Sequence, residues 1–360
     1  MATIVIIGAG FAGMATARAL VRRGDDRVLV LEREPAPGQH ASGRNAGMIR
    51  TLLMDPWEQD LAIASAKEIA RIGGGDAFER TGGLVLADGL HRIVLREAAE
   101  RSREAGREVL ELDHPPDDIA PWLPGSAFVR GWLTPDDGVA DISALLALYQ
   151  EEATAGGAEI RTGVEVDEIV VKDGRATGVA TDAGTIEADV VVNAAGAWAG
   201  QLGEVGAAET IGLTARRRHL FSTGPVDGAD PHLPFVWHDT AFWYCRPESG
   251  GFLMSCCDET TQEPGEAVVD PAADEWLAEK LVLRNPALAD LPVRRRWAGQ
   301  RSFSRDDLFV VGWDPVRPGL YWVAGLDGHG VTVSAAVGDL AAREITSGEH
   351  ARNPLSPYRF

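Results

Sequence analysis

Basic residues are scarce: 34 Lys and Arg stand against 54 Asp and Glu, a formal net charge of −20 in a chain of 360 residues. So acidic a chain offers no broad positive face to nucleic acid or to an anionic membrane surface. Cysteine is scarcer still. Of 3 cysteines, Cys256 and Cys257 are adjacent and Cys245 lies apart, with no CxxC or metal-ligand spacing among them. That spacing argues against a metal site and for reduced structural thiols. No apolar run approaches the roughly 20 uninterrupted residues a spanning helix needs, and the first apolar run reads as a strand rather than a leader. There is no fixed-period repeat and no low-complexity segment. The expectation is a soluble, cytoplasmic protein long enough for about two domains.

What is present begins with Thr3 to Glu32. Ile4, Val5, Ile6 and Ile7 form a β-branched run, Gly8, Gly10 and Gly13 follow in the spacing G-x-G-x-x-G, and a helix and a second strand ending in Glu32 complete the unit. The three glycines play different parts. Gly8 permits the sharp turn, Gly10 the close approach of backbone to a pyrophosphate, and Gly13 the close packing of helix on sheet. The helix N-terminus favours phosphate, and Glu32 can accept hydrogen bonds from ribose hydroxyls. Strand, turn, helix, strand and terminal acid in register predict a dinucleotide cradle.

The next stretch, REPAPGQHASGRNAGMIRT, is polar and aperiodic and follows the second strand, where ligands of doubly wound sheets bind. Ser42, Arg44 and Asn45 are candidate side-chain donors there, and Gly43 and Gly47 allow close approach; a solvated loop is the plainer reading. A helix is predicted from Pro56 to about Ile72, a short strand in TGGLVLAD, and a helix from about Leu90 to Gly106. Asp141 is a good N-cap for the next helix. A meander follows, turning at Asp173-Gly174, and leads into ADVVVN and AAGAWAG, a second strand end able to abut the nucleotide. Between about Gly206 and Gln300 the strands carry aromatic and basic residues, and Trp237, His238, Trp243 and Tyr244 suit either a pocket wall or ordinary core. One helix from Asp274 to about Arg284 is closed by Pro286. Strands at Leu308–Val311 and Leu320–Ala324, a glycine loop from Gly325 to Gly330 and a helix from Val331 to about Ile345 end the fold, and the last ten residues read as a loosely held tail.

Taken in order, GAGFAG with Glu32, SGRNAG, TPDDGVAD, NAAGAW, WAGQRSFSRDDLFVVG and AGLDGHGVTVSAAVG resemble the FAD-dependent amino-acid oxidase and dehydrogenase (DAO) superfamily, which includes D-amino-acid oxidase, glycine oxidase and sarcosine oxidase. The likeness spans essentially the whole chain, and LEREPAPGQHASGRNAG, RRRHLF and WAGQRSF look most like the bacterial D-arginine and D-amino-acid dehydrogenases. It implies an α/β fold: a discontinuous Rossmann-like FAD-binding domain (1–80, 140–205 and 301–350), an inserted α+β substrate domain on a mostly antiparallel sheet (81–139 and 206–300), and a tail (351–360). It also implies oxidation of a small amino acid, a D-amino acid or a glycine-like amine, to an imine and then a 2-oxo acid.

By the same resemblance, Gly8, Gly10, Phe11, Ala12 and Gly13 hold the pyrophosphate of FAD, Glu32 the adenosine ribose, and Arg33 and Val166 flank the adenosine. Ser42, Gly43, Arg44, Asn45, Ala46 and Gly47 line the flavin side, Ala195, Gly196 and Trp198 come from the returning strand, and Gly328, His329, Gly330, Val331 and Thr332 lie at the flavin's pyrimidine edge. Backbone donors at a helix N-terminus suit the negative charge that reduced flavin gains there. Arg301 matches the family's carboxylate-binding arginine, with Arg218 and Tyr244 assisting. From the residues alone, the favoured reading of Arg301 is an ion pair with Asp306 or Asp307, and that of Arg218 a charge on a solvated face. Met48, Leu53 and Gly83 stand where the D-arginine enzymes place a histidine, a tyrosine and a glutamate, which points to a smaller or apolar substrate. No cysteine lies near Arg301 and His40 has counterparts in non-covalent enzymes, so non-covalent FAD is expected. His219, His238 and His329 are candidate bases by residue type. Oxygen, or a quinone or dye, is the expected electron acceptor, in a monomer or homodimer. The alternatives are an N-methyl amine, cyclic imino acid or 2-hydroxy acid as substrate, or a flavin subunit of a larger complex.

Overall fold

The computed structural model describes residues 1–124, 128–206, 208–209, 211–349 and 353–360. Six strands form one sheet in the order Val310–Trp313, Leu320–Ala324, Val190–Asn193, Thr3–Ile7, Arg27–Glu32, Glu159–Thr162. All neighbours are parallel except the first pair. Ile4 to Ile7 are buried on both sides, as a central parallel strand requires. The helices Phe11–Val21, Ile142–Ala155 and Gly330–Ser347 cover one face with the Pro56–Gly73 helix, and the antiparallel meander Val166–Lys172, Arg175–Thr181 and Gly184–Glu187 belongs to the core of the other. Asp141 caps its helix by accepting a hydrogen bond from the Ala144 N–H at 2.9 Å.

The larger sheet runs Thr261–Gln262, Thr214–Ser222, Gly251–Ser255, Trp243–Glu248, Phe235–His238, Gly83–Ala87, Arg130–Thr134, Leu110–Leu112, with Arg295–Phe303 also paired to Thr214–Ser222. It is antiparallel apart from Phe235–His238 beside Gly83–Ala87. The strand Arg295–Phe303 is continuous, so the expected boundary at residue 301 falls inside it and Arg301 belongs to the larger sheet. Short strands Met48–Ile49, Phe78–Glu79 and Gly138–Ala140 form a separate small sheet. Among the described residues no helix is long and apolar enough to cross a membrane.

Three details differ from what the sequence predicts. Pro286 does not merely end a helix: Ala273–Val282 stops earlier, and Pro286 opens a short turn capped by the Asn285 side chain, since proline suits a first helical position. The strand expected at Leu308 begins at Val310. The described end of the tail is not loose. Leu355 is buried, its carbonyl accepts the Val311 N–H at 3.0 Å, and Arg359 pairs with Asp306 at 2.6 Å. A short segment anchored by Leu355, Phe360 and Arg359 gives no periodic signal, and the partners of Leu355 and Arg359 are distant in sequence.

Glu58, on the Pro56–Gly73 helix, is buried and accepts the Phe309 N–H at 3.0 Å. Burial pushes its carboxyl up to about 8, above the 4.5 of an unperturbed glutamate. The folded chain therefore holds the proton more tightly, and stability falls as pH rises from about 4.5 through 8. Glu58→Gln keeps an acceptor for Phe309 without the titration, so its Tm is expected to gain on wild type as pH increases from 5 to 9; parallel Tm curves would contradict this.

Candidate functional site

A cavity of about 390 Å³ opens at the carboxyl ends of the parallel strands, lined by Ile7, Glu32, Ala194 and Ala324 among others. It runs from the glycine turn to Arg301 and Gly328. Gly8 adopts φ +100°, and a Cβ there would lie 2.6 Å from the Ala194 carbonyl oxygen. A Cβ at Gly13 would lie 1.9 Å from the Gly8 oxygen, so helix and strand meet at the distance only glycine permits. Gly10, Phe11 and Ala12 line the cavity. Ser42 closes over this turn, its hydroxyl accepting the Phe11 N–H at 3.0 Å.

Glu32 plays a second part that its place in the sequence did not reveal. One carboxylate oxygen accepts the Ala9 N–H at 2.8 Å and the other the Glu34 N–H at 3.0 Å, so it braces the glycine turn while facing the cavity. The Arg33 guanidinium lies 3.9 Å over the Trp198 ring, and His40 packs on the same ring at 4.7 Å while contacting Glu34 at 2.8 Å. That His40 contact holds the Glu34 carboxyl below its usual range. Val166, Ala195, Gly196, Gly330 and Val331 also line the cavity.

The polar loop behaves differently from expectation at several residues. Asn45 lines the cavity, but its amide donates to the Ser42 carbonyl at 2.7 Å and its oxygen accepts the Gly47 N–H at 2.8 Å, so it holds the loop's own shape. Arg44 turns away to Glu266 at 2.6 Å. Gly43 and Gly47 lie against the carbonyls of Gly38 and Ala140, and Ala46 accepts a hydrogen bond from Arg246. Thr332 donates to the Met48 carbonyl at 3.1 Å and does not line the cavity. Short polar side chains bond to the nearest backbone, and which backbone is nearest is set by the fold.

At the far end the guanidinium of Arg301 is buried, and burial lowers its proton affinity. The ion pair suggested by sequence does not form: Asp306 pairs with Arg359, Asp307 pairs with Arg216, and among the described residues no carboxylate lies within 4.0 Å of Arg301. Its hydrogen bonds go to the carbonyls of Gln300 at 3.2 Å and Arg44 at 3.5 Å, leaving part of its donor fork unused. Arg218 is buried rather than solvated, and is partnered by Glu259 at 2.7 Å and the Asp258 carbonyl at 3.0 Å. Tyr244 is buried and stacks on Trp237 at 5.1 Å. Alternation along a strand divides the four aromatic-sheet candidates: Trp237 pairs with Tyr244, whereas His238 pairs with Trp243 on the opposite face, against the core.

The histidines separate as clearly. His219 has Asp258 on one ring nitrogen at 2.7 Å and the Asp270 N–H on the other at 2.9 Å. His238 accepts the Ala241 N–H at 3.2 Å, and burial pushes it down to about 4. His329 is kept neutral by burial and by the cations of Arg50, Arg218 and Arg301; its Nε2 accepts from Arg50 at 2.8 Å, which puts the proton on Nδ1. No free histidine base emerges among these three.

Arg50, which sequence reasoning does not single out, contacts His329 at 2.8 Å without lining the cavity. It is buried, stacks at 4.2 Å on Trp237, and donates to the Leu52 carbonyl at 3.2 Å. A single arginine in MIRT has no spacing to mark it. Asp327, in the glycine loop at φ +43°, lines the cavity, and burial pushes its carboxyl up to about 7.

A glycine-turn cradle braced by Glu32 at one end of the cavity and a buried guanidinium at the other have the form of a dinucleotide-dependent site. The chain belongs to the DAO family of FAD dependent oxidoreductases, which it matches over residues 3–344, and FAD is its cofactor. It is similar to the FAD-dependent oxidoreductase domain-containing protein 1 of Bos taurus, 25% identical over 99% of this chain and 84% of the relative. Among solved structures it is similar to L-proline dehydrogenase from P. horikoshii (TM-score 0.87, 24% identity, covering 100% of this chain and 97% of that one). Glycine oxidase from Geobacillus kaustophilus is a further neighbour (TM-score 0.80, 24% identity, both chains covered in full). Gly8 at φ +100°, the Gly13 contact that leaves no space for a Cβ, and a cavity that reaches from this turn to Arg301 and Gly328 are compatible with such a cofactor.

Proposed function

We propose that this protein oxidises the C–N bond of a small amino acid to an imine, which water hydrolyses to a 2-oxo acid with release of ammonia or an amine, with FAD held non-covalently. The observation that carries this reading is Arg301: a buried guanidinium with no carboxylate partner among the described residues, at the end of a cavity that starts at a dinucleotide cradle. A planar fork with unused donors is suited to a substrate carboxylate. The L-proline dehydrogenase and glycine oxidase among the structural neighbours act on amino acids of this kind. When bound, FAD supplies the two-electron acceptor for hydride from the substrate Cα. The chain's own part is to anchor the carboxylate at Arg301, with Tyr244 and Arg218 behind it, and to shield the reacting carbon from water; positioning of this kind accounts for a large share of such rates. Residues 1–80, 140–205 and 301–350 would serve the cofactor and 81–139 and 206–300 the substrate, except that Arg301 sits on a strand of the larger sheet and serves the substrate.

The purified protein is expected to be yellow, and acid precipitation should release the flavin to the supernatant. Flavin remaining in the pellet would contradict the non-covalent reading. An anaerobic screen of glycine, L-proline, D-amino acids and N-methyl amines, read by bleaching of the flavin bands, tests the substrate class. If no amine bleaches them, the amino-acid reading fails.

A further inference from the structure

We infer that Asp327 is the group that accepts a proton from the substrate's ammonium before the Cα–H bond is broken. The inference rests on the proposed reading of the substrate as an amine anchored through its carboxylate by Arg301. An ammonium nitrogen has no lone pair with which to form a C=N bond, so its proton must leave first. The carboxylates and the histidine along the cavity are Glu32, His40, Glu165, Asp167 and Asp327. Four of them belong to the glycine-turn end: Glu32 braces the turn, His40 packs on Trp198, Glu165 lies 3.8 Å from Arg33, and Asp167 follows Val166. Asp327 alone among them shares the end at which Arg301 stands, and His219, His238 and His329 do not line the cavity.

The fold ties Asp327 to the strand that carries Arg301. Its N–H donates to the Ser302 carbonyl at 3.1 Å, and a Cβ on the following Gly328 would stand 3.1 Å from Arg301 Cδ. Yet among the described residues no carboxylate lies within 4.0 Å of Arg301, so the two are neighbours without forming an ion pair. An α-amino acid carries its amine one carbon from its carboxylate, which suits an anchor and a proton acceptor that are adjacent and unpaired. The turn is fixed by φ +43° at Asp327 and by the His329 N–H on the Leu326 carbonyl at 2.7 Å. The carboxylate itself is held loosely, its ion-pair contact among the described residues being His329 Nδ1 at 3.9 Å. Burial first, then the carboxylates of Glu259 and Asp307, push the carboxyl up to about 7 against the cations of Arg218 and Arg50. Glu58 also faces it from the Pro56–Gly73 helix. A carboxylate with that affinity accepts a proton more readily than an exposed aspartate does and is ionised in mildly alkaline solution. The ammonium proton passes to this carboxylate, the freed lone pair forms the C=N bond as the Cα hydride leaves to bound FAD, and the carboxyl later returns its proton to water.

The test is anaerobic stopped-flow reduction of the FAD-loaded protein by the fastest amino acid of the substrate screen. In wild type the second-order constant for flavin reduction should rise with pH through about 7 and then level off. In Asp327→Asn only substrate that is already neutral can react, so near neutral pH the constant should fall by about 100-fold. It should then climb about tenfold per pH unit toward wild type until the amine's own pKa is reached. Asp327→Gly, which suits the positive φ, should behave alike; FAD content and far-UV circular dichroism establish that each variant is folded. A second readout needs no turnover. The affinity of 2-aminoisobutyrate, which has no Cα hydrogen, relative to isobutyrate, measured by perturbation of the flavin absorbance, should rise through about pH 7 in wild type and stay flat in Asp327→Asn. A loss of the same size at every pH in the folded variants, a profile equal to that of wild type, or a relative affinity that rises equally in Asp327→Asn overturns the inference. If isobutyrate binding survives Arg301→Gln, or no amino acid reduces the flavin, it is the parent reading that fails.

Discussion

Arg301→Ala is expected to lower kcat/KM for every amino-acid substrate by roughly 100- to 1000-fold, within the ~2–5 kcal/mol lost when one partner of a buried, hydrogen-bonded charge pair is removed. The size follows from where Arg301 sits. It is buried on the continuous strand Arg295–Phe303, and its neighbours Asp306 and Asp307 are engaged by Arg359 and Arg216, so neither of these carboxylates competes for it. Removing it would leave the substrate anion in the cavity without its principal partner, and burial magnifies that cost. Arg301→Lys keeps the charge but not the fork, so it should recover only part of the loss. Arg295→Ala, exposed at the start of the same strand, is the control and should change kcat/KM by less than about twofold. Steady-state kinetics on the three variants checks this. Wild-type kcat/KM in Arg301→Ala would remove the anchor from the mechanism.

The parts of the molecule that are legible in advance are those whose signal is local. Ile4 to Ile7, the three spaced glycines and Glu32 specify strand, turn, helix and strand by short-range sterics, and Asp141 marks a helix start by its own side chain. The site is legible only in pieces. Ser42, Asn45 and Arg44 read as one set of donors, yet the fold gives one a helix cap, one a loop brace and one a surface ion pair with Glu266. Composition cannot choose among these, because all three satisfy the same polar side chains. Trp237 and Tyr244 are separated from His238 and Trp243 by strand register, which depends on cross-strand pairing rather than on any one strand. Arg50 is the sharpest case, because its contacts with His329, Trp237 and Asp239 come from segments far away in the sequence.

Gly13→Ala is expected to be the most damaging single-methyl change in the cradle, lowering apo-protein Tm by several degrees and abolishing FAD retention through purification. The new Cβ would fall 1.9 Å from the Gly8 carbonyl oxygen and 3.3 Å from Ile6 Cγ2. The first of these is backbone in a turn already held by Glu32, so it cannot yield as a side-chain tip would. The Phe11–Val21 helix would have to lift from the sheet. That helix is wedged on its other side, where a Cβ at Gly338 of the Gly330–Ser347 helix would lie 2.5 Å from the Ala15 backbone, so lifting it disturbs a second close interface. Gly10→Ala provides the contrast. Its Cβ would meet the Ser42 hydroxyl at 2.8 Å, a side-chain end that can rotate away at the cost of its bond to the Phe11 N–H. Gly10→Ala should therefore keep a near-wild-type apo Tm while binding FAD more weakly, because the methyl stands where the pyrophosphate is expected. Thermal denaturation of the two apo-proteins, with FAD titrations followed by flavin fluorescence, separates the roles: helix packing at Gly13, ligand approach at Gly10. Equal apo stabilities would show that the helix can shift without cost and that the close Gly8–Gly13 contact does not set the geometry of the cradle.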